Sequence, residues 1–71
     1  METRDMVRMA NQIADYFRAY PEDVAVKEVA GHIKSFWEPR MRKQLAQHIA
    51  KGGAGLSPLA VKAASTLAVS A

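Results

Sequence analysis

The residues of this chain that could do chemistry are few, and their spacing is unhelpful to most of it. His32 and His48 are the only imidazoles, and there is no cysteine. A metal site needs three or four convergent ligands, and neither histidine belongs to an H-x-x-x-H or H-E-x-x-H pattern or an acid-rich loop. His32 stands one turn after Glu28, which predicts a surface ion pair. His48 falls on an apolar stripe and reads as a hydrogen-bonded core or interface residue. Ser35, Ser57, Ser65 and Ser70 have no histidine and acid at a spacing that suggests a nucleophile and its base. Gly52-Gly53-Ala54-Gly55 follows a helical segment rather than a strand, so it reads as a helix stop and a tight turn, not a phosphate cradle. No catalytic, cofactor-binding or metal-ligating residue is therefore expected, and the chain is not expected to be an enzyme by itself.

What remains is a stretch suited to recognition: Phe36-Trp37-Glu38-Pro39-Arg40-Met41-Arg42. It holds the sole tryptophan, a proline and two arginines, and tryptophan with arginine is the composition of binding hot spots. The charge distribution is one-sided. Residues 1–38 carry five basic and seven acidic side chains, whereas residues 39–71 carry five basic and none acidic. Such polarity points to an acidic partner surface, nucleic acid, or the chain's own acidic half. Against nucleic acid, the turn at Glu38-Pro39 is short for a helix-turn-helix, and an acid sits where DNA phosphate would approach. The plainest structural reading of the basic residues is a solvated face, with Arg42 paired to an acid of an earlier helix.

The elements that position this stretch are helical. At about 100° per residue, Met6, Met9, Ala10, Ile13, Tyr16, Phe17 and Tyr20 share one side of a first segment spanning roughly 4–20. Thr3 or Asp5 can cap its start, and Pro21 stops it. Val26, Val29, Ala30, Ile33, Phe36 and Trp37 share a face of a second segment, 23–37, with Gly31 on its polar side. Pro39 suits the first turn of a third segment, 39–51, with Glu38 before it as the cap and Gly52-Gly53 as the left-handed stop. Met41, Leu45, His48 and Ile49 form its stripe, and Arg42 borders it. Ser57-Pro58 is a helix-start pair for a fourth segment, 58–68, whose Leu59, Ala60, Val61, Ala63, Ala64, Leu67 and Ala68 cover more than half of its circumference. A helix so broadly apolar is normally buried on more than one side. No segment has strand period. The prediction is all-α: a small three-helix core with a short fourth C-terminal helix, in a single domain.

A chain of 71 residues has a core worth only about 3–5 kcal/mol net, so self-association of the isolated chain is a natural expectation. The charged N-terminal stretch lacks a signal peptide's apolar run, and no window approaches the roughly 20 apolar residues that span a bilayer. A soluble, cytoplasmic protein with no membrane contact is expected.

The signature Phe36–Arg42 resembles one family, the delta subunit of NAD-dependent, molybdenum-containing formate dehydrogenase. The resemblance runs through Arg8-Met9-Ala10-Asn11-Gln12-Ile13-Ala14, Phe17, Tyr20-Pro21 and Val29-Ala30-Gly31-His32-Ile33 into that signature. It closes with Gly52-Gly53-Ala54-Gly55-Leu56 and Pro58-Leu59. It implies a small non-catalytic subunit of a cytoplasmic complex that oxidises formate to CO2 and reduces NAD+. Molybdopterin, iron–sulfur and flavin cofactors would sit on larger subunits and none on this chain. The implied partner is the large catalytic subunit, whose assembly or stability this chain would support. The docking residues expected are Phe36, Trp37, Arg40, Met41 and Arg42 at the corner, with Leu56, Pro58, Leu59 and Leu67 along the C-terminal arm. Two other classes compete. A stand-alone basic helical nucleic-acid-binding or regulatory protein would show steeply salt-dependent DNA affinity, and a self-assembling structural protein would sediment as a stable oligomer.

Overall fold

The computed structural model describes residues 2–70, with side chains through Leu67. It contains α1 (Thr3–Phe17), α2 (Glu22–Phe36), α3 (Pro39–Ala50) and α4 (Pro58–Ser70), with no strand among the described residues. The all-α expectation holds. Ala68, assigned by period to the apolar arc, has its side chain outside the described residues.

The helix ends show which local signals decided the fold. α1 starts without a side-chain cap: Thr3 is already helical, and the Asp5 carboxylate instead accepts from Arg8 at 3.4 Å. The expected cap from Thr3 or Asp5 is thus absent, and the first bond runs from the Met6 N–H to the Glu2 carbonyl. α1 also ends at Phe17, three residues before the predicted boundary. The chain tightens there through Arg18 N–H to Asp15 and Tyr20 N–H to Phe17, three-residue bonds of the kind that close a helix before a proline.

Trp37 and Glu38 are extended, as a residue before proline must be, and Pro39 opens α3 as predicted. Its end is a Schellman stop. The Gly53 N–H bonds the His48 carbonyl at 2.9 Å and the Gly52 N–H bonds that of Ile49 at 3.0 Å. Gly52 (φ 112°) and Gly53 (φ 65°) both have positive φ, where a side chain would be strained. At α4 the Ser57 Oγ accepts from the Ala60 N–H at 3.3 Å, so the predicted serine cap is formed.

The core gathers Met6 and Ala10 of α1, Val29 and Ile33 of α2, Trp37, Leu45 of α3, and Ala63 and Ala64 of α4. α4 packs most extensively on α2 and next on α3. Its buried face is alanine (Ala60, Ala63, Ala64), which lets the helix axes approach closely. The fourth helix is therefore part of the core and not an arm lying free of it. Lys62 pairs with Glu22 at 2.7 Å across the same α2·α4 contact. Both partners are exposed, so this bond contributes at most about 1 kcal/mol.

Gly31 has a different standing from the loop glycines. It is helical and exposed, and an added Cβ would meet nothing within 4 Å. Gly31→Ala is expected to raise the stability of the free chain by about 1 kcal/mol, read as a higher urea midpoint at unchanged slope.

Candidate docking surface

The aromatic stripe of α1 does not face the core squarely. The buried side chains of α1 are Met6, Ala10 and Ala14. Tyr16 lies roughly 120° round the helix from Ala10, given about 100° per residue. Tyr16 is consequently 76% exposed and Tyr20 49% exposed, although the period placed both on the apolar side. The apolar arc is wider than the surface the other helices can cover, and the small residues took the close-packed part of it.

Phe36 is exposed for another reason. Its helical position matches that of Val29, but it is the last residue of α2. Beyond it the extended Trp37 turns under the bundle and fills the core, 6% exposed. Phe36 is left 75% exposed, with His32 as its ring neighbour at 4.7 Å. That contact replaces the predicted Glu28–His32 ion pair, which is not formed. An imidazole beside an exposed aromatic ring covers apolar surface that a carboxylate would not.

Between these exposed rings runs a groove of about 700 Å³. Met9, Gln12, Ile13, Tyr16 and Phe17 form its α1 wall, and His32, Phe36 and Trp37 close it from the α2 end. Edge-on contacts tie Tyr16 to Phe17 at 4.9 Å and Phe17 to Tyr20 at 5.6 Å. Chemically the groove offers apolar area rimmed by one imidazole and one phenol, a surface for an apolar side chain or helix face. The helical period placed Met9, Ile13, Tyr16 and Phe17 on the apolar side, and Met9, Ile13 and Phe17 do pack against the core while also lining this groove. The signal that could have found the groove is the width of the α1 arc, too broad for three neighbours.

The expected docking residues separate in space. Phe36 and Trp37 border the aromatic groove. Arg40 is exposed on the first turn of α3, and Met41 is half-buried against the core. Arg42 and Leu67 come together with Pro39 and Lys43 in a second groove, of about 250 Å³, between α3 and α4. Arg42 does border the core as predicted, but it pairs with no acid. Its Nε is buried without a hydrogen-bond partner, and none of the ion pairs among the described residues includes it. Leu56 packs against the core from the loop. Pro58 and Leu59 line a third cavity with Tyr20 and Glu22. Glu22 begins α2 and Phe36 ends it, about 20 Å apart at about 1.5 Å per residue. The nine residues do not make one patch.

The glycine loop is held by two side chains, Asn11 and His48. Asn11 donates from Nδ2 to the Gly55 carbonyl and accepts at Oδ1 from the Ser57 N–H, both at 2.9 Å. His48 Nε2 lies 2.8 Å from the Ala54 carbonyl, and since a carbonyl only accepts, this nitrogen carries a hydrogen. The loop's role is thereby structural: it carries the chain from α3 to α4 and is fastened to α1. Among the described residues no three His, Asp or Glu side chains converge as a metal site would require.

Neither a curated protein nor a solved structure matches this chain. Residues 5–64 match the family described as "NADH-dependant formate dehydrogenase delta subunit FdsD". That span includes α1 from Asp5 onward, the corner with its Phe-Trp-Glu-Pro-Arg-Met-Arg signature, the fastened loop and the first half of α4. The chain belongs to the family of NADH-dependent formate dehydrogenase delta subunits.

Proposed function

We propose that this chain is a non-catalytic subunit that binds the large, molybdenum-containing catalytic subunit of a cytoplasmic formate dehydrogenase and supports its assembly or stability. Formate oxidation to CO2 and the reduction of NAD+ would then take place on other subunits, which would hold molybdopterin, iron–sulfur clusters and flavin. The family supports the association with formate dehydrogenase subunits. The observation that carries the docking reading is the uncovered pair Tyr16 and Phe36 beside a groove with an apolar floor. Aromatic rings left in water at the rim of a concave apolar surface are the usual makings of an interface centre.

In this reading Phe36 and Tyr16 supply apolar anchoring, and Trp37 supports Phe36 from inside. Arg40, on the outward side of the corner, meets partner acids or carbonyls. Co-expression with an affinity-tagged large subunit tests the proposal. The chain is expected to be recovered in stoichiometric amount, and its absence from the purified large subunit would sink the subunit reading. No helix among the described residues is long and apolar enough to cross a membrane.

A further inference from the structure

The groove between α3 and α4 is lined by a cation that makes no ion pair among the described residues. Arg42 is half-buried there, its Nε sequestered without a hydrogen-bond partner among the described residues, with Lys43 and Ala46 on its own helix and the apolar Ala64 and Leu67 as the facing wall. No acidic residue follows Glu38 in the sequence, and the C-terminal half's one ion pair among the described residues is made by Lys62, with Glu22. Buried polar groups of native proteins are almost always bonded, so an orphaned guanidinium N–H calls for an explanation. A guanidinium whose inner edge has lost water and gained no partner attracts an anion at its outer edge more strongly than a fully solvated one does.

We infer that this groove receives an aspartate or glutamate side chain of the partner subunit, its carboxylate seated on Arg42 and its stem against Leu67 and Ala46. The inference rests on the subunit reading. The occupant is a protein carboxylate because the groove is small and mostly apolar, fitting one acidic side chain with its methylenes. A phosphate backbone would instead seek several exposed cations in a row. Guanidinium and carboxylate also match in planar geometry.

Arg42→Met keeps the bulk and removes the charge. The free variant is expected to unfold at the same or a higher urea concentration than wild type, because it no longer holds an unpaired buried donor. Its complex with the tagged large subunit is expected to be at least tenfold weaker, with a flatter dependence on salt. In the wild-type complex, carbodiimide coupling is expected to join the Lys43 amine to an Asp or Glu of the large subunit. Equal affinity of Arg42→Met and wild type overturns the assignment. So does a complex in which Lys43 couples to no acid, or a free chain that binds duplex DNA through Arg42. Failure of the wild-type chain to be captured at all would instead strike the subunit reading, which keeps the two failures distinct.

Discussion

A chain carrying Tyr16→Ser and Phe36→Ser is expected to fold as the wild type does and to lose its hold on the large subunit. Both rings are largely in water, and the ring contacts they give up are those of Tyr16 with Phe17 and of Phe36 with His32. Such contacts contribute about 1 kcal/mol or less at exposed positions, so the unfolding midpoint should shift little. In an interface the same rings would be desolvated together. Two hot-spot aromatics removed from the centre of a contact cost about 3–4 kcal/mol, a few hundredfold in affinity, measured by titrating the tagged large subunit with the free chain. Trp37→Ala is a poorer probe, despite its place in the signature. Trp37 lies in the core, and truncating a buried tryptophan costs about 3–5 kcal/mol, comparable to the whole stability of a domain this small. Deleting residues 56–71 has the same defect, since it strips Ala60, Ala63 and Ala64 from the core. Loss of binding in either variant would report unfolding.

The second large effect is expected at Asn11. Its amide holds the loop at two points, donating to Gly55 and accepting from Ser57. Asn11→Ala removes both bonds and leaves the part-buried Ser57 N–H, at the start of α4, without its partner. At about 1 kcal/mol per bond plus the penalty for a stranded donor, the loss is about 2–3 kcal/mol, read as a lower urea midpoint. Asn11→Asp separates the two roles. It keeps the acceptor for Ser57 and turns a carboxylate oxygen toward the Gly55 carbonyl, so it should recover little of the loss. Because Ser57 caps α4, a loosened loop also loosens the Ala63 and Ala64 contacts with the core.

Much of the fold was legible because its signals are local. Pro39 and Ser57-Pro58 mark helix starts by what their own backbone and hydroxyl can do, and Gly52-Gly53 marks a stop by the φ it permits. Period alone placed Met6, Ala10, Val29, Ile33 and Leu45 correctly inside. The candidate site was less legible because exposure depends on which part of an apolar arc the neighbours cover. Tyr16 and Ala10 both fall within the apolar arc of α1, and only the packed helices show that Ala10 is covered and Tyr16 is not. Phe36 shares a face with Val29 but lies at the end of α2, where covering elements run out. Arg42 was expected to find an acid of an earlier helix, and no local rule could show that none reaches it. The clasp of Asn11 on the loop joins residues more than forty positions apart, beyond the reach of spacing arguments.

Docking through the α1/α2 aromatic groove can be checked by hydroxyl-radical footprinting of the chain, free and in complex with the large subunit. Oxidation of Tyr16 and Phe36 should fall sharply in the complex. Val24 and Leu59, far from Phe36 near the start of α2, should be labelled as in the free chain. Unchanged labelling of Tyr16 and Phe36, with protection at Val24 and Leu59 instead, would put the docking surface at the other end of α2.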